Sequence, residues 1–322
     1  MNAAEDTRAT VSVVIPVLNA ETSLPALLDR LFSQKPAAPT EVILVDSMST
    51  DKTRNIAQSN PRVSVIPITR FSHGRARNLG AQAATGDVVV LMTQDALPKD
   101  DAWLASLLAS FSDEQVAAVY SRQVPWPDAP PTERFFLRYH FPSGDPVRRV
   151  KTGNEQLTFK NVFFSNVSAA VRRSILLRFP FDETLIMSED QQFARELLDA
   201  GHAVVYQPES VVFHSHRYTL KTAFQRYFDS VYSLTVIFSG HGMGTSASIG
   251  LRYLGREMRY ILRHHPLYFP YYCLYTLAKT FGTVAGHFAD KMPEAMLKKL
   301  SMHSYHWDKD DSGSACSGCG NP

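Results

Sequence analysis

The sequence predicts an α/β fold built on a mostly parallel sheet with flanking helices, followed by a helical C-terminal region. Three observations carry that prediction. Over the first hundred residues, short apolar β-rich runs alternate with amphipathic stretches, the rhythm of βαβ units. Those runs stop abruptly in polar residues: 41–46 closes on Asp46, and 87–92 breaks into Thr93-Gln94-Asp95. Beyond residue 220 the alternation gives way to helical periodicity that continues to about residue 300.

Taken in order, Val and Ile dominate 11–17, the first predicted strand, and a Leu-rich amphipathic helix follows over 21–32. A strand at 41–46, a helix at 52–58 and a strand at 63–66 repeat the pattern. A helix over 74–84 leads through the Gly86-Asp87 turn into the strand that ends at Asp95, and then come a helix at 99–111 and a strand at 116–121. Between 124 and 160 the periodicity dissolves, with Pro125, Pro127, Pro130, Pro131, Pro142 and Pro146 among aromatics and arginines. This stretch predicts an insertion or lid, since its aromatics need a surface to pack on. Regular structure returns over 163–171, in a helix at 189–200 stopped by Gly201, and in strands at 203–206 and 210–214. The domain plan is therefore a disordered lead at 1–10, an α/β domain at 11–220, a membrane-associating or oligomerising helical region at 221–307, and a Gly/Ser/Asp-rich disordered tail at 308–322.

Bulk properties exclude several classes. In 322 residues Lys and Arg number 33 against 31 Asp and Glu, a net charge of +2, which gives no global field for nucleic acid. Cys273, Cys316 and Cys319 are too few for a disulfide framework and fit a reducing, cytoplasmic compartment. No apolar core follows Arg8, so the N-terminus does not read as a secretory signal, and Asn166-Val-Ser168 reads as chance rather than as a glycan acceptor. His303, His306, Cys316 and Cys319 form only a nominal zinc pattern, because the cysteines lie in the tail without flanking structure.

Chemistry concentrates at strand ends. In open α/β sheets ligands bind outside the carboxyl ends of the strands, so Asp95 is placed to hold a divalent cation against a diphosphate, or else to cap a turn. The loop Asp46-Ser-Met-Ser-Thr-Asp51 can accept a base edge and nearby phosphates, or cap the next helix through Ser49 or Asp51. In Arg70-Phe-Ser-His-Gly-Arg-Ala-Arg-Asn78, Gly74 permits close backbone approach while Arg75 and Arg77 offer planar forks for phosphate, unless they are solvated charge. Glu189 and Asp190 open a helix, where the macrodipole favours negative charge and where a carboxylate can take a proton from a bound hydroxyl. His214 and His216, at alternate positions of an extended run, point the same way and are candidate metal ligands, although a histidine at a strand end is often merely hydrogen-bonded.

These segments together, Val13-Val-Ile-Pro-Val-Leu-Asn19, Val45-Asp-Ser-Met-Ser-Thr-Asp51, Phe71-Ser-His-Gly-Arg-Ala-Arg-Asn-Leu-Gly80, Met92-Thr-Gln-Asp-Ala96, Phe164-Ser-Asn-Val-Ser-Ala169, Ser188-Glu-Asp190 and His214-Ser-His216, span about residues 11–220. The chain resembles the inverting glycosyltransferases of family 2, with their Rossmann-like GT-A fold, and within them the bacterial rhamnosyltransferase branch. The resemblance implies that Pro16, Val17, Asn19 and Asp46 hold the pyrimidine nucleoside, that Glu21 and Ser47 also line the nucleotide and donor site, and that Arg75, Arg77 and Asn78 lie near base and phosphates. It implies that Asp95 is the last acid of the metal motif, preceded by Thr93 and Gln94 at the donor, and that His214, with His216 a further candidate, completes the shell of a Mg²⁺ or Mn²⁺ ion. Asp190 would be the catalytic base, and Asn166, Ser168 and Glu189 would lie beside donor sugar or acceptor. Thr93 departs from the family pattern, in which that position is acidic, leaving fewer carboxylates for the cation. The implied activity is transfer of L-rhamnose from dTDP-β-L-rhamnose to a saccharide, polyprenyl-linked, in surface polysaccharide such as O-antigen. The alternatives are another UDP- or dTDP-sugar donor, or a non-catalytic nucleotide-sugar-binding scaffold subunit.

Arg252, Arg256, Arg259 and Arg263 recur at helical spacing, with Leu254, Met258, Ile261 and Leu262 on other faces, and an aromatic run follows over 264–288. Its tyrosines, prolines and Lys279 suit an interfacial anchor on an anionic membrane better than a span, which places the protein peripherally on the inner face of the cell membrane. An ordinary helical appendage, or the surface of a homodimer, is the alternative.

Overall fold

The structure, a computed structural model, describes residues 9–238 and 244–307. The first half of the sheet is β1 (Val11–Val17), β2 (Glu41–Asp46), β3 (Val63–Pro67) and β4 (Val88–Met92), all parallel in the order β3-β2-β1-β4. β1, β2 and β4 are covered on both faces, which is why their sequences are continuous apolar runs rather than alternating ones. The covering helices are α1 (Leu24–Phe32), α2 (Thr53–Gln58) and α3 (His73–Ala83). α3 lies close on β1 because Gly80 has no side chain; a Cβ there would stand 2.2 Å from Val14 Cγ1. That contact sets the N-terminus of α3, capped by Ser72 accepting from the Arg75 amide, beside the strand ends.

The second half comprises β5 (Leu97–Pro98), α4 (Trp103–Leu108), β6 (Val116–Val124), α5 (Pro131–His140), β7 (Val147–Arg149), β8 (Ser168–Arg172), α6 (Arg173–Arg178), α7 (Glu189–Asp199) and β9 (Ala203–Phe213). β8 runs antiparallel between β4 and β6, β6 pairs parallel with β9, and β5 and β7 each join β9 antiparallel. The sheet is thus mixed but mostly parallel, as expected.

Local differences from the sequence reading have physical causes. The stretch 124–160 is not irregular throughout. Pro131 sits in the first turn of α5, where a missing amide costs nothing, and Phe135, Leu137 and Phe141 bury themselves. The strands expected at 203–206 and 210–214 are one strand, β9, whose register against β6 shifts between Ser121 and Arg122. The strand expected at 163–171 begins only at Ser168, and the helix expected at 99–111 is α4 followed by a 3₁₀ turn over Ala109–Ser112.

Past Arg217 the described chain forms α8 (Leu220–Ile237), α9 (Gly244–His264), α10 (Phe269–His287) and α11 (Glu294–Leu300), so the C-terminal region is helical. It is divided, however: 9–217 with 244–272 make one compact unit, and 218–238 with 273–307 make another. In the second unit Gly282 and Gly286 admit the backbone of α8, since a Cβ at Gly282 would lie 2.3 Å from the Phe224 carbonyl oxygen. Lys279 there is buried and faces the rings of Tyr227 and Tyr275 at 5.3 and 5.5 Å. No described helix is long and apolar enough to cross a membrane. The lead up to residue 8 and the tail with Cys316 and Cys319 lie outside the described residues.

Candidate active site

The carboxyl ends of β1, β2 and β4 open onto one crevice, and backbone strain collects around it. Among the described residues three non-glycine residues have positive φ: Asn19 after β1 (50°), Met48 after β2 (63°) and Ser188 before α7 (64°). Such conformations cost free energy and persist where the surroundings over-determine them. Here the over-determination is visible. Asn19 Oδ1 accepts from the Thr50 amide at 2.9 Å, Glu21 Oε2 accepts from the Lys52 amide at 3.0 Å, and Gln94 accepts from the Leu18 amide and donates to its carbonyl at 2.8 and 3.1 Å. Asn19, Glu21 and Gln94 therefore hold the loops that line the crevice, and their side chains are occupied in doing so. Val17 is a core residue only 2% exposed, so what it offers the crevice is backbone, and its carbonyl already accepts from the Ser47 amide at 2.9 Å. Pro16 beside it is half-buried.

Asp46 is fully buried at the end of β2, accepting from the Ser49 amide and from Arg54 Nε at 2.6 Å. Sequence reasoning did not single out Arg54, which no motif marks. Its guanidinium borders a cavity of about 590 Å³, walled also by Met48, Ile66, Pro67, Ile68, Thr69, Arg75 and Leu79, a size suited to one small organic group. Arg75, expected near base and phosphates, does face this cavity.

Arg77 and Asn78 do not. Arg77 is on the inward face of α3, its side chain 5% exposed, and pairs with the equally buried Glu189. Asn78 donates to the Phe181 carbonyl and accepts the Phe181 amide, both at 2.9 Å. Arg77, expected to offer a fork to phosphate, and Asn78, expected near base and phosphates, instead clamp α3 to the start of α7 and the segment before it. Gly74 serves the same clamp, because a Cβ there would meet the Asp182 carbonyl oxygen at 2.5 Å.

Asp95, His214 and His216 converge as expected. One ligand atom from each lies within 4.8 Å of the others, with Asp95 Oδ2 at 3.6 Å from His214 Nε2 and 3.9 Å from His216 Nδ1. Gln123, a residue no motif pointed to, sits behind them. Its Oε1 lies 2.8 Å from His214 Nδ1 while its Nε2 donates to Ser165 Oγ, so the amide is oriented as an acceptor toward the imidazole. The ring is thereby held with Nε2 toward Asp95, the orienting support a metal-binding histidine requires. Burial by itself would raise the Asp95 carboxyl, but hydrogen bonding from His214, the charges of His214 and His216, and Thr93 prevail and hold it well below the usual carboxylate range. The set can hold a divalent metal ion.

Asp190 lies in the opposite environment. Its carboxylate accepts from the Gln191 amide at 2.9 Å and from the Asn166 amide at 3.4 Å. Burial first, and then the neighbouring Glu189 charge, push the Asp190 carboxyl up to about 7. Burial acts on Glu189 as well, but there the Arg77 and His73 charges prevail and keep the carboxyl below its ordinary value. Glu189 is therefore not free to meet a sugar, as expected from sequence; it stays ionised behind Asp190 and raises the proton affinity of its neighbour. A carboxylate poised near neutrality is what general-base chemistry needs.

Ser168 also leaves the list of sugar contacts. It is 1% exposed and joins a buried chain in which Trp103 Nε1 donates to its Oγ at 3.1 Å and its hydroxyl meets Ser121 Oγ at 2.7 Å. Asn166 remains. Its Oδ1, together with Ser47 Oγ and Gln191 Oε1, is buried without a hydrogen-bond partner among the described residues. Leaving such an atom unpaired costs about 1–3 kcal/mol, and Asn166, whose amide meets Asp190, thus keeps an acceptor for a bound polar group.

Comparison with known proteins accords with this geometry. The model of glycosyl transferase family 2 matches residues 12–179. O-antigen chain rhamnosyltransferase RfbN of Salmonella typhimurium is 34% identical over 92% of this chain and 96% of its own. O-antigen chain rhamnosyltransferase WbaN of Salmonella anatum is 33% identical over 92% and 95%. Among solved structures, the mannosyltransferase PcManGT from Pyrobaculum calidifontis, in complex with GDP-Man and Mn²⁺, superposes with a TM-score of 0.59 at 20% identity over 88% of both chains, a likeness of fold.

Proposed function

Because the chain belongs to glycosyl transferase family 2, we propose that it moves L-rhamnose from dTDP-β-L-rhamnose, with inversion, to a hydroxyl of a polyprenyl-linked saccharide during O-antigen assembly. The observation that carries this reading is the near full-length likeness to two O-antigen chain rhamnosyltransferases. The site chemistry supports it.

The nucleoside enters the crevice held open by Asn19, Glu21 and Gln94, with its base in the cavity beside Asp46, Arg54 and Arg75. Asp190 accepts the proton of the acceptor hydroxyl as that oxygen attacks the anomeric carbon, and the bond from that carbon to the diphosphate oxygen breaks on the opposite face. Attack and departure on opposite faces give inversion in one step. Arg77 keeps Glu189 ionised and so keeps the base strong. Asn166, with its amide on Asp190 and its Oδ1 unpaired, orients the hydroxyl that reacts.

Asp95, His214 and His216 fit a divalent ion, which when bound supplies positive charge against the departing diphosphate. Two imidazoles with a single carboxylate favour Mn²⁺ over Mg²⁺, which prefers an all-oxygen shell.

The test is release of nucleotide from a panel of donors in the presence of a lipid-linked saccharide acceptor. Turnover should be highest with dTDP-rhamnose. Faster turnover with UDP-glucose, UDP-galactose or UDP-N-acetylglucosamine would reject the rhamnosyl assignment and leave the family intact.

A further inference from the structure

The outer face of α9 is unlike any other surface described so far. Arg252, Arg256, Arg259 and Arg263 form one row along it, and all four are exposed. One residue earlier at each step runs a second row, Leu251, Gly255, Met258 and Leu262, in which the three side chains are 70, 44 and 47% exposed. At 100° per residue the two rows lie side by side on the helix surface. The only acid of the helix, Glu257, points the other way, 1% exposed and hydrogen-bonded by Tyr253. On that inner side Tyr253 and Tyr260 pack against Phe135 of α5 at ring separations of 5.3 and 5.5 Å, and Ile261 is fully buried. α9 is thus fixed to the catalytic unit by one face, while the other face presents four cations and an apolar ridge. Leu267, just past its end, is 97% exposed.

We infer that this face docks the protein onto an anionic lipid bilayer, with the arginines at the headgroup phosphates and Leu251, Met258, Leu262 and Leu267 entering the headgroup–acyl boundary. Charge decides against a symmetric dimer through this face, which would set four arginines against four. The apolar row decides against nucleic acid, whose backbone satisfies the cations and gives the exposed leucines nothing. A bilayer of anionic lipid satisfies both rows at once. The inference stands on α9 and Leu267 just past it, and does not require the rhamnosyl assignment.

Co-sedimentation of the full chain with vesicles tests it, comparing phosphatidylcholine alone with phosphatidylcholine containing phosphatidylglycerol. Binding should appear only with the anionic vesicles and weaken as salt rises. A basic residue near an anionic surface strengthens partitioning about fivefold, so replacing Arg252, Arg256, Arg259 and Arg263 together by Gln should weaken it on the order of several hundredfold. The pair Leu262→Ser and Leu267→Ser, both at exposed positions, keeps every charge and should still weaken binding at least tenfold, which separates insertion from mere charge attraction. Circular dichroism and nucleotide binding, read on each variant, register whether the fold is retained. The inference is overturned if the intact chain ignores anionic vesicles, if the serine pair leaves binding unchanged, or if the arginines instead govern self-association in sedimentation equilibrium or retention of single-stranded RNA.

Discussion

The segment after β4 and the first turn of α7 each present an aspartate to the same crevice, and the protein treats the two in opposite ways. Asp95 lies beside His214 and His216, which with Thr93 hold its carboxyl well below the usual carboxylate range. Asp190 is desolvated beside an ionised neighbour and holds its proton up to about 7. Chemically identical groups thus acquire different proton affinities from their surroundings, one suited to holding a cation and the other to exchanging a proton. Arg77 and Gln123 are the residues that keep them different, the first by preserving the charge of Glu189 and the second by orienting His214.

The comparison breaks most visibly at Asp190. Asp190→Asn retains shape and removes proton acceptance, so turnover should fall by about two to four orders of magnitude while dTDP affinity in calorimetric titration stays nearly unchanged. A substantial residual rate would move the base elsewhere. A smaller effect of the opposite kind is expected on the other side. Gln123→Leu removes the acceptor that orients His214, so Mn²⁺ affinity should weaken by about 10–100-fold, and Asp95→Ala should abolish the metal dependence of dTDP binding outright. Undiminished metal dependence in both would disprove the ligand assignment. The gentlest probe is pH. Since the Asp190 carboxyl must lose its proton to act and does so near 7, kcat should rise about tenfold per unit as pH climbs toward 7 and level off above it, whereas metal-dependent nucleotide binding should show no loss traceable to Asp95 over that range. A flat profile between about pH 5 and 7 contradicts the raised value.

Much of this was legible in the chain, for physical reasons that also mark where reading failed. Alternation on an extended strand end puts His214 and His216 on one side, and the strand breaking into Thr93-Gln94-Asp95 puts an acid after β4; from these local rules come three ligand atoms within 4.8 Å of one another. Gln123 was invisible because its meaning comes from register: it sits opposite Val212 in the β6–β9 ladder, two residues before His214, and no local pattern announces that pairing. The place of Arg77 is hidden in the sequence because the apolar period of α3 is weak, and its inward face carries an arginine and an asparagine. In the 124–160 stretch proline interrupts the periodicity, yet Pro131 begins a helix.

The clamp between α3 and the start of α7 also governs when activity can first exist. Arg77 and Glu189 are 112 residues apart in sequence, and Asn78 and Phe181 are 103 apart. Contacts of such separation close large loops and form late, after the local βαβ units of the first hundred residues have found their own pairing. During synthesis, therefore, the loops after β1 and β2 are complete well before Glu189 and Asp190 have joined the chain. A chain emerging only as far as β8 lacks α7, with Glu189 and Asp190, and the end of β9 that leads into His214 and His216.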